Sequence, residues 1–154
     1  MRQIFIASDH AGFDVKSIVC QFLTDNLKET VGSGFEIIDL GTNNSDRTDY
    51  TIYAHNLAKL VQNNHSSFGI LICGSGIGVS MVANRYKNVR AALIYNEKIA
   101  ELSRQHNNAN VACFGARFFS ANEINNMVKI FLTTQFLDGI HSSRVDNIDD
   151  KIDC

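Results

Sequence analysis

The sequence predicts a three-layer α/β/α protein built on a parallel sheet of about five strands. Three observations predict it. Short β-rich apolar runs alternate with longer segments of helical period along the chain, the pattern of α/β proteins. The run Phe68-Gly69-Ile70-Leu71-Ile72-Cys73 has no polar interruption, as expected of a central parallel strand covered on both faces. No repeat, low-complexity tract or linker breaks the alternation, so the 154 residues read as one domain, 1–154, whose 45% apolar content suffices for a core.

Residues 3–8 (Gln-Ile-Phe-Ile-Ala-Ser) read as the first strand. Over residues 12–25, Phe13, Val15, Ile18, Val19, Phe22 and Leu23 recur near i, i+3 and i+4, which predicts a helix. Thr30 to Gly34 carries two glycines and reads as a turn into a second strand, Phe35 to Leu40. Gly41 to Asp49 is a polar loop, and helical period resumes over 50–62. Strand three, 68–73, leads through a glycine loop into a helix from Ile77 to Tyr86. Arg90 to Ile94 reads as strand four, 96–105 as helix, Asn110 to Phe114 as strand five and 121–134 as helix. The polar tail, 138–154, has room for one more helix. This is a doubly wound, Rossmann-like arrangement. Its crossovers are right-handed, and its ligands gather where the strand order reverses, beyond the carboxyl ends of the strands.

Net charge is −2, with Lys and Arg scattered, so nothing marks a nucleic-acid or anionic-membrane surface. A small phosphate-bearing molecule remains compatible, since it needs only two or three local positive groups. Cys20, Cys73, Cys113 and Cys154 show no metal-ligand spacing. The first residues carry too short an apolar run for a signal peptide or membrane span, so the expectation is a cytoplasmic protein with reduced thiols.

Three places near strand ends carry groups capable of chemistry. Gly74-Ser75-Gly76-Ile77-Gly78 follows strand three and opens a helix, where glycines let the backbone approach a ligand and a row of N–H groups can hold an oxyanion. It is no dinucleotide fingerprint, because Val79 stands where a third small residue is needed, and no phosphate-loop Gly-Lys-Ser/Thr is present. A glycine turn serving only tight packing is the competing reading. Asp9-His10 ends strand one, either as a helix cap beside a solvated histidine or as part of a site. Cys73 is either an inert core thiol or a thiolate whose ionisation is favoured by the adjacent N–H groups and helix start. His106-Asn107 falls between a helix and strand five and reads as a loop pair. Should strands one and three be neighbours, Asp9, His10, Cys73 and the loop share one crevice, and a base, an acid and an oxyanion cradle stand together.

Four motifs in register identify a family. Ser8-Asp9-His10-Ala11-Gly12, Arg47-Thr48-Asp49-Tyr50, Ile72-Cys73-Gly74-Ser75-Gly76-Ile77-Gly78 and Ser103-Arg104-Gln105-His106-Asn107 resemble those of the type B ribose-5-phosphate isomerases. Their superfamily also holds galactose- and allose-6-phosphate isomerases. Ala83-Asn84, Phe114-Gly115-Ala116-Arg117 and Arg144-Val145 match as well, so the resemblance spans about residues 3 to 148. It implies interconversion of ribose 5-phosphate and ribulose 5-phosphate through a cis-enediolate, without metal or organic cofactor. It implies that Cys73 is the base moving the proton between C2 and C1, and that His106 is the acid opening the furanose ring. Val79 occupies the position at which the other branch of the family places a glutamate base. By the same resemblance Asp9 and His10 contact the sugar, Tyr50 lines its pocket, and Gly74, Ser75, Gly76, Ile77 and Gly78 present N–H groups to the enediolate. Asn107 adds a polar contact, and Arg117 and Arg144 hold the phosphate. The family implies a homodimer or homotetramer with active sites shared between chains, while the charge balance gives the expectation of no nucleic-acid or membrane partner.

The chain departs from the family pattern in three places. Ile140 stands where a phosphate-binding arginine is usual, which shifts the expected anion grip toward Arg117, Arg144, His10 and His141. Thr51 replaces a usual proline, and residues 26–34 read as an extended connection. The alternatives are a six-carbon sugar-phosphate isomerase and a non-catalytic phosphate- or nucleotide-binding module on the same scaffold.

Overall fold

The computed structural model of the protein describes residues 2–32 and 34–150. Ser33 of the expected turn and the end of the expected tail, 151–154, lie outside the described residues. Five strands form one sheet: β1 (Arg2–Ser8), β2 (Phe35–Asp39), β3 (Phe68–Cys73), β4 (Ala91–Leu93) and β5 (Val111–Gly115). Their order is β2-β1-β3-β5-β4, and every neighbouring pair is parallel. Helices α1 (Phe13–Val31), α2 (Tyr50–Asn63), α3 (Ile77–Ala83) and α4 (Glu97–Asn107) connect the strands, and α5 (Ala121–Thr133) and α6 (Ser142–Asp146) follow β5. Among the described residues no helix is long and apolar enough to cross a membrane.

Strand alternation sorts the core into two layers. Ile4 and Ile6 of β1 join Ile70 and Ile72 of β3 in packing against Val19 and Leu23 of α1, Ala100 of α4 and Phe131 of α5. The intervening residues, Phe5, Ala7, Leu71 and Cys73, face Leu57 and Val61 of α2 and Val79 of α3. Strands buried on both faces read in sequence as unbroken apolar runs, which is why 68–73 stood out. Cys73 thus belongs to the α2/α3 side of the sheet.

Helix ends follow local chemistry. The Asp49 side chain accepts the Thr51 N–H at the start of α2, and Asn96 accepts that of Ile99 at the start of α4. Ser120 and Glu123 form a reciprocal capping box on α5. Three helix ends differ from the sequence reading by two residues or more. Helix α1 runs on to Val31 because nothing between Asn26 and Val31 breaks it, and Gly32 at φ +83° follows its last residue. The extended connection over 26–34 is therefore largely helix. Helix α3 stops at Ala83, where the Asn84 side chain bonds both the N–H and the carbonyl of Ala91 and turns the chain toward β4. Helix α4 continues through Asn107 and closes on Asn108 at φ +45°, so His106 and Asn107 occupy its last turn and not a loop.

Phe131 locks α5 to the sheet: it is fully buried, its ring meets Phe68 edge-on at 5.8 Å, and the Arg104 guanidinium lies 5.7 Å from its centroid. Truncation to alanine is expected to cost about 3–5 kcal/mol, seen as a lower midpoint in urea unfolding with the slope unchanged.

Candidate active site

The carboxyl ends of β1, β3 and β5 lie side by side. Ser8 pairs with Ile72, Cys73 pairs with Gly115, and the Asp9 N–H reaches the Ile72 carbonyl. After β1 the chain steps to β2 on one side, and after β2 it crosses to β3 on the other. The order therefore reverses between β1 and β3, where a doubly wound sheet opens its ligand crevice.

Cys73 stands at this crevice, 4% exposed, with the Gly76 N–H donating to its sulfur at 3.0 Å. Gly76 has φ +79°, and a Cβ there would fall 2.7 Å from Leu93 Cδ1 and 2.9 Å from the Phe114 carbonyl carbon. Only glycine can place that N–H on the sulfur. The Ile77 N–H meets the Ser75 hydroxyl at 3.3 Å. The loop is thus more than a bare row of donors: two of its N–H groups hold the loop and the thiol in register.

The other two loop glycines make room for side chains. The Arg117 guanidinium lies over Gly74, 3.2 Å from where a Cβ would stand, and the Tyr50 ring lies over Gly78, 2.6 Å from the same point. The turn after β5 is tied down by Ala116 N–H to the Cys73 carbonyl (2.9 Å) and Arg117 N–H to the Gly74 carbonyl (3.2 Å). Both readings of the loop, ligand approach and tight packing, meet in these residues.

Asp9 caps the following 3-10 turn, its Oδ1 accepting from the Ala11 and Gly12 N–H groups at 3.0 and 3.1 Å. It also lines the cleft, so cap and site coincide in one carboxylate. His10 Nδ1 is held against the Thr48 backbone, which leaves Nε2 as the ring nitrogen available to a ligand. The cleft has a volume of about 550 Å³ and is walled by Asp9, His10, Tyr50, Cys73, Gly74, Ser75, Ile77, Gly78 and Arg117. Met81 and Phe118, 61% and 70% exposed, complete an apolar rim with Ile77. Sequence reasoning missed those two, although Met81 follows Ile77 by four residues on one helix face.

His106, Asn107 and Arg144 do not line this cleft. Helix α4 runs back against the strand direction, so its last turn lies at the edge where β5 begins, opposite the carboxyl ends. There the His106 ring stacks on that of His141 with centroids 4.3 Å apart, and Asn107 lines a separate hollow with Arg90 and Ser103. His141 is pushed below its ordinary pKa by desolvation and then by the nearby charges of His106 and Arg144. Ile140 precedes it, 72% exposed.

Residues 4–148 match the Ribose/Galactose Isomerase family. The chain belongs to that family. A Mycoplasma pneumoniae protein named "Probable ribose-5-phosphate isomerase B" is 44% identical over 146 residues, covering 94% of this chain and 91% of its own. Ribose-5-phosphate isomerase B of Escherichia coli is 38% identical over 148 residues, covering 96% and 95%. Among solved structures, ribose-5-phosphate isomerase B of Mycoplasma genitalium with bound ribulose-5-phosphate superposes with a TM-score of 0.88 at 42% identity, covering 96% of this chain and 93% of that one. The Rossmann-like fold is that of the family.

The thiols differ by position. Burial pushes the Cys113 thiol far up, and burial followed by the Asp39 charge raises Cys20 to about 11, so both stay protonated at neutral pH. Cys73 alone of these three lines the cleft. Iodoacetamide at neutral pH is expected to label Cys73 ahead of Cys20 and Cys113, read peptide by peptide in a mass spectrometer. Prior labelling of Cys113 would contradict this placement of the thiols.

Proposed function

We propose that the protein interconverts ribose 5-phosphate and ribulose 5-phosphate, working as one isomerase domain over 1–154. The observation that carries the reading is the Cys73 sulfur, held by the Gly76 N–H at the strand-order reversal beside Asp9, His10 and Arg117. Relatives named for this activity match over 94% and 96% of the chain.

In this reading His106 donates a proton to the ring oxygen as the C1–O bond to it breaks and the anomeric O1–H gives its proton to solvent, and the open aldehyde lies along the cleft. The Cys73 thiolate takes the proton from C2, leaving an enediolate whose negative charge spreads over O1 and O2. The same sulfur then returns the proton to C1 while the O2 hydroxyl proton passes to O1, so the ketose forms and no external acid or base is consumed. The N–H groups of the 74–78 loop other than those of Gly76 and Ile77 face the developing charge in this reading, and each well-placed donor is worth about 3–4 kcal/mol in the transition state. Proton transfer by positioned groups adds about 10²- to 10⁴-fold. Arg117 and Arg144 take the phosphate, where a planar guanidinium fork matches its oxygens.

His106, Asn107 and Arg144 lie away from their own cleft, so the working site takes them from a second copy, in a homodimer or homotetramer. The apolar rim of Ile77, Met81 and Phe118 supports this, since such a rim is stabilised by a protein partner. We place the enzyme in the cytoplasm, where its thiols stay reduced.

A coupled assay with ribose 5-phosphate is expected to show turnover, and Cys73→Ala to abolish it with the far-UV circular dichroism unchanged. Comparable turnover of allose or galactose 6-phosphate would move the substrate to a hexose, and binding without turnover would make the chain a phosphate-binding module. Arg144→Ala is expected to raise KM far more than it lowers kcat. Mixing the inactive variants Cys73→Ala and His106→Asn under conditions that exchange subunits is expected to restore activity. No recovery in an exchanged sample would remove the shared site.

A further inference from the structure

The hydrogen bonds behind the cleft assign a role to a residue outside it. His10 Nδ1 lies 3.2 Å from the Thr48 N–H and 3.1 Å from the Thr48 carbonyl. One peptide segment therefore serves the ring in either state. A neutral imidazole accepts from the N–H and keeps its own proton on Nε2, while an imidazolium donates from Nδ1 to the carbonyl. His10 then depends on where Thr48 sits, and Thr48 belongs to the polar connection between β2 and α2, where few apolar contacts fix the backbone.

What fixes it is Tyr53, in the first turn of α2. Its hydroxyl lies 3.4 Å from Thr48 Oγ1, and hydrogen bonds from the Thr42 and then the Thr48 side chain draw the phenol below its ordinary pKa. The Tyr53 ring packs over Gly41, 3.1 Å from where a Cβ would stand. Gly41 and Thr42 are in turn stitched to the end of β1. The Ser8 N–H donates to the Gly41 carbonyl (2.8 Å), the Thr42 N–H donates to the Ser8 carbonyl (2.9 Å), and Asp39 Oδ1 accepts the Gly41 N–H (2.9 Å). The second oxygen of Asp39 holds the buried Lys16 ammonium. The sheet edge thus carries Tyr53, Tyr53 carries Thr48, and Thr48 carries His10.

We propose that Tyr53 is a positioning residue for the isomerase site, holding Thr48 so that the His10 imidazole presents Nε2 to the cleft. This rests on the proposed function above, and the test separates the two. Tyr53→Phe removes only the hydroxyl and leaves the ring on Gly41, and Thr48→Val removes its partner while keeping the peptide that meets His10. Each is expected to raise KM for ribose 5-phosphate about three- to tenfold with kcat changed much less, the size expected for one neutral hydrogen bond. The double variant is expected to be no worse than the poorer single one, because both changes break one link. Nitrogen NMR of labelled histidine, with His10 assigned by His10→Gln, is expected to show the His10 signals of both variants moved toward those of a free imidazole exchanging tautomers. That readout needs no turnover, so it stands even for a protein inactive on ribose 5-phosphate. Tyr86→Phe, which removes a hydroxyl bonded to His55 outside the cleft, is expected to leave both KM and the His10 signals unchanged. Unmoved His10 signals in Tyr53→Phe and Thr48→Val, or losses that add in the double variant, would overturn the proposal.

Discussion

The parallel pairing of β1 with β3 is the constraint on which the rest depends. It brings residues 9 and 73 to adjacent strand ends although 63 residues separate them in the chain. It also leaves β2 and β5 on opposite sides, so the sheet order reverses at the crevice. Parallel strands need long crossovers, and here helices supply them on both faces. Burial of both faces makes the central strands apolar, and the strand ends are then the places where polar groups emerge with the core as a rigid support.

Close approach does at this site what bulky side chains do elsewhere. Gly76 allows an N–H to reach the Cys73 sulfur, Gly74 lets the Arg117 guanidinium lie flat on the loop, and Gly78 receives the Tyr50 ring. Each glycine removes atoms so that a neighbour can occupy the space. The cleft is therefore preformed by packing, and its donors need little reorganisation when charge develops, the condition under which electrostatic stabilisation is most effective.

Charge is distributed with similar economy. Lys16 is buried against Asp39, and Arg104 is buried beneath Phe68 and Phe131, with its guanidinium donating to the Asn108 side chain and the Ala109 carbonyl. Desolvation draws Arg104 down to about 10, still well above neutral pH, so it stays charged. Both cations sit where a strand or helix must end at a defined residue. Lys16 steadies the turn after β2, and Arg104 steadies the end of α4 that carries His106 and Asn107.

The sequence by itself determined the layers, the five strands and most helix starts, because apolar period and capping residues act over a few positions. It also marked Asp9, His10, Cys73 and the glycine loop as chemistry at strand ends, and four motifs in register named the family. Helix ends were less legible: α1 ran on to Val31 and α4 took in His106, since a helix stops only where a capping contact or a left-handed residue ends it. Tertiary structure alone decided that β1 pairs with β3, that Thr48 and Tyr53 stand behind His10, and that His106, Asn107 and Arg144 face away from Cys73. The physical reason is range. Periodicity and caps report neighbours three or four residues apart, whereas strand order and the meeting of loops are settled by burying the whole sheet at once.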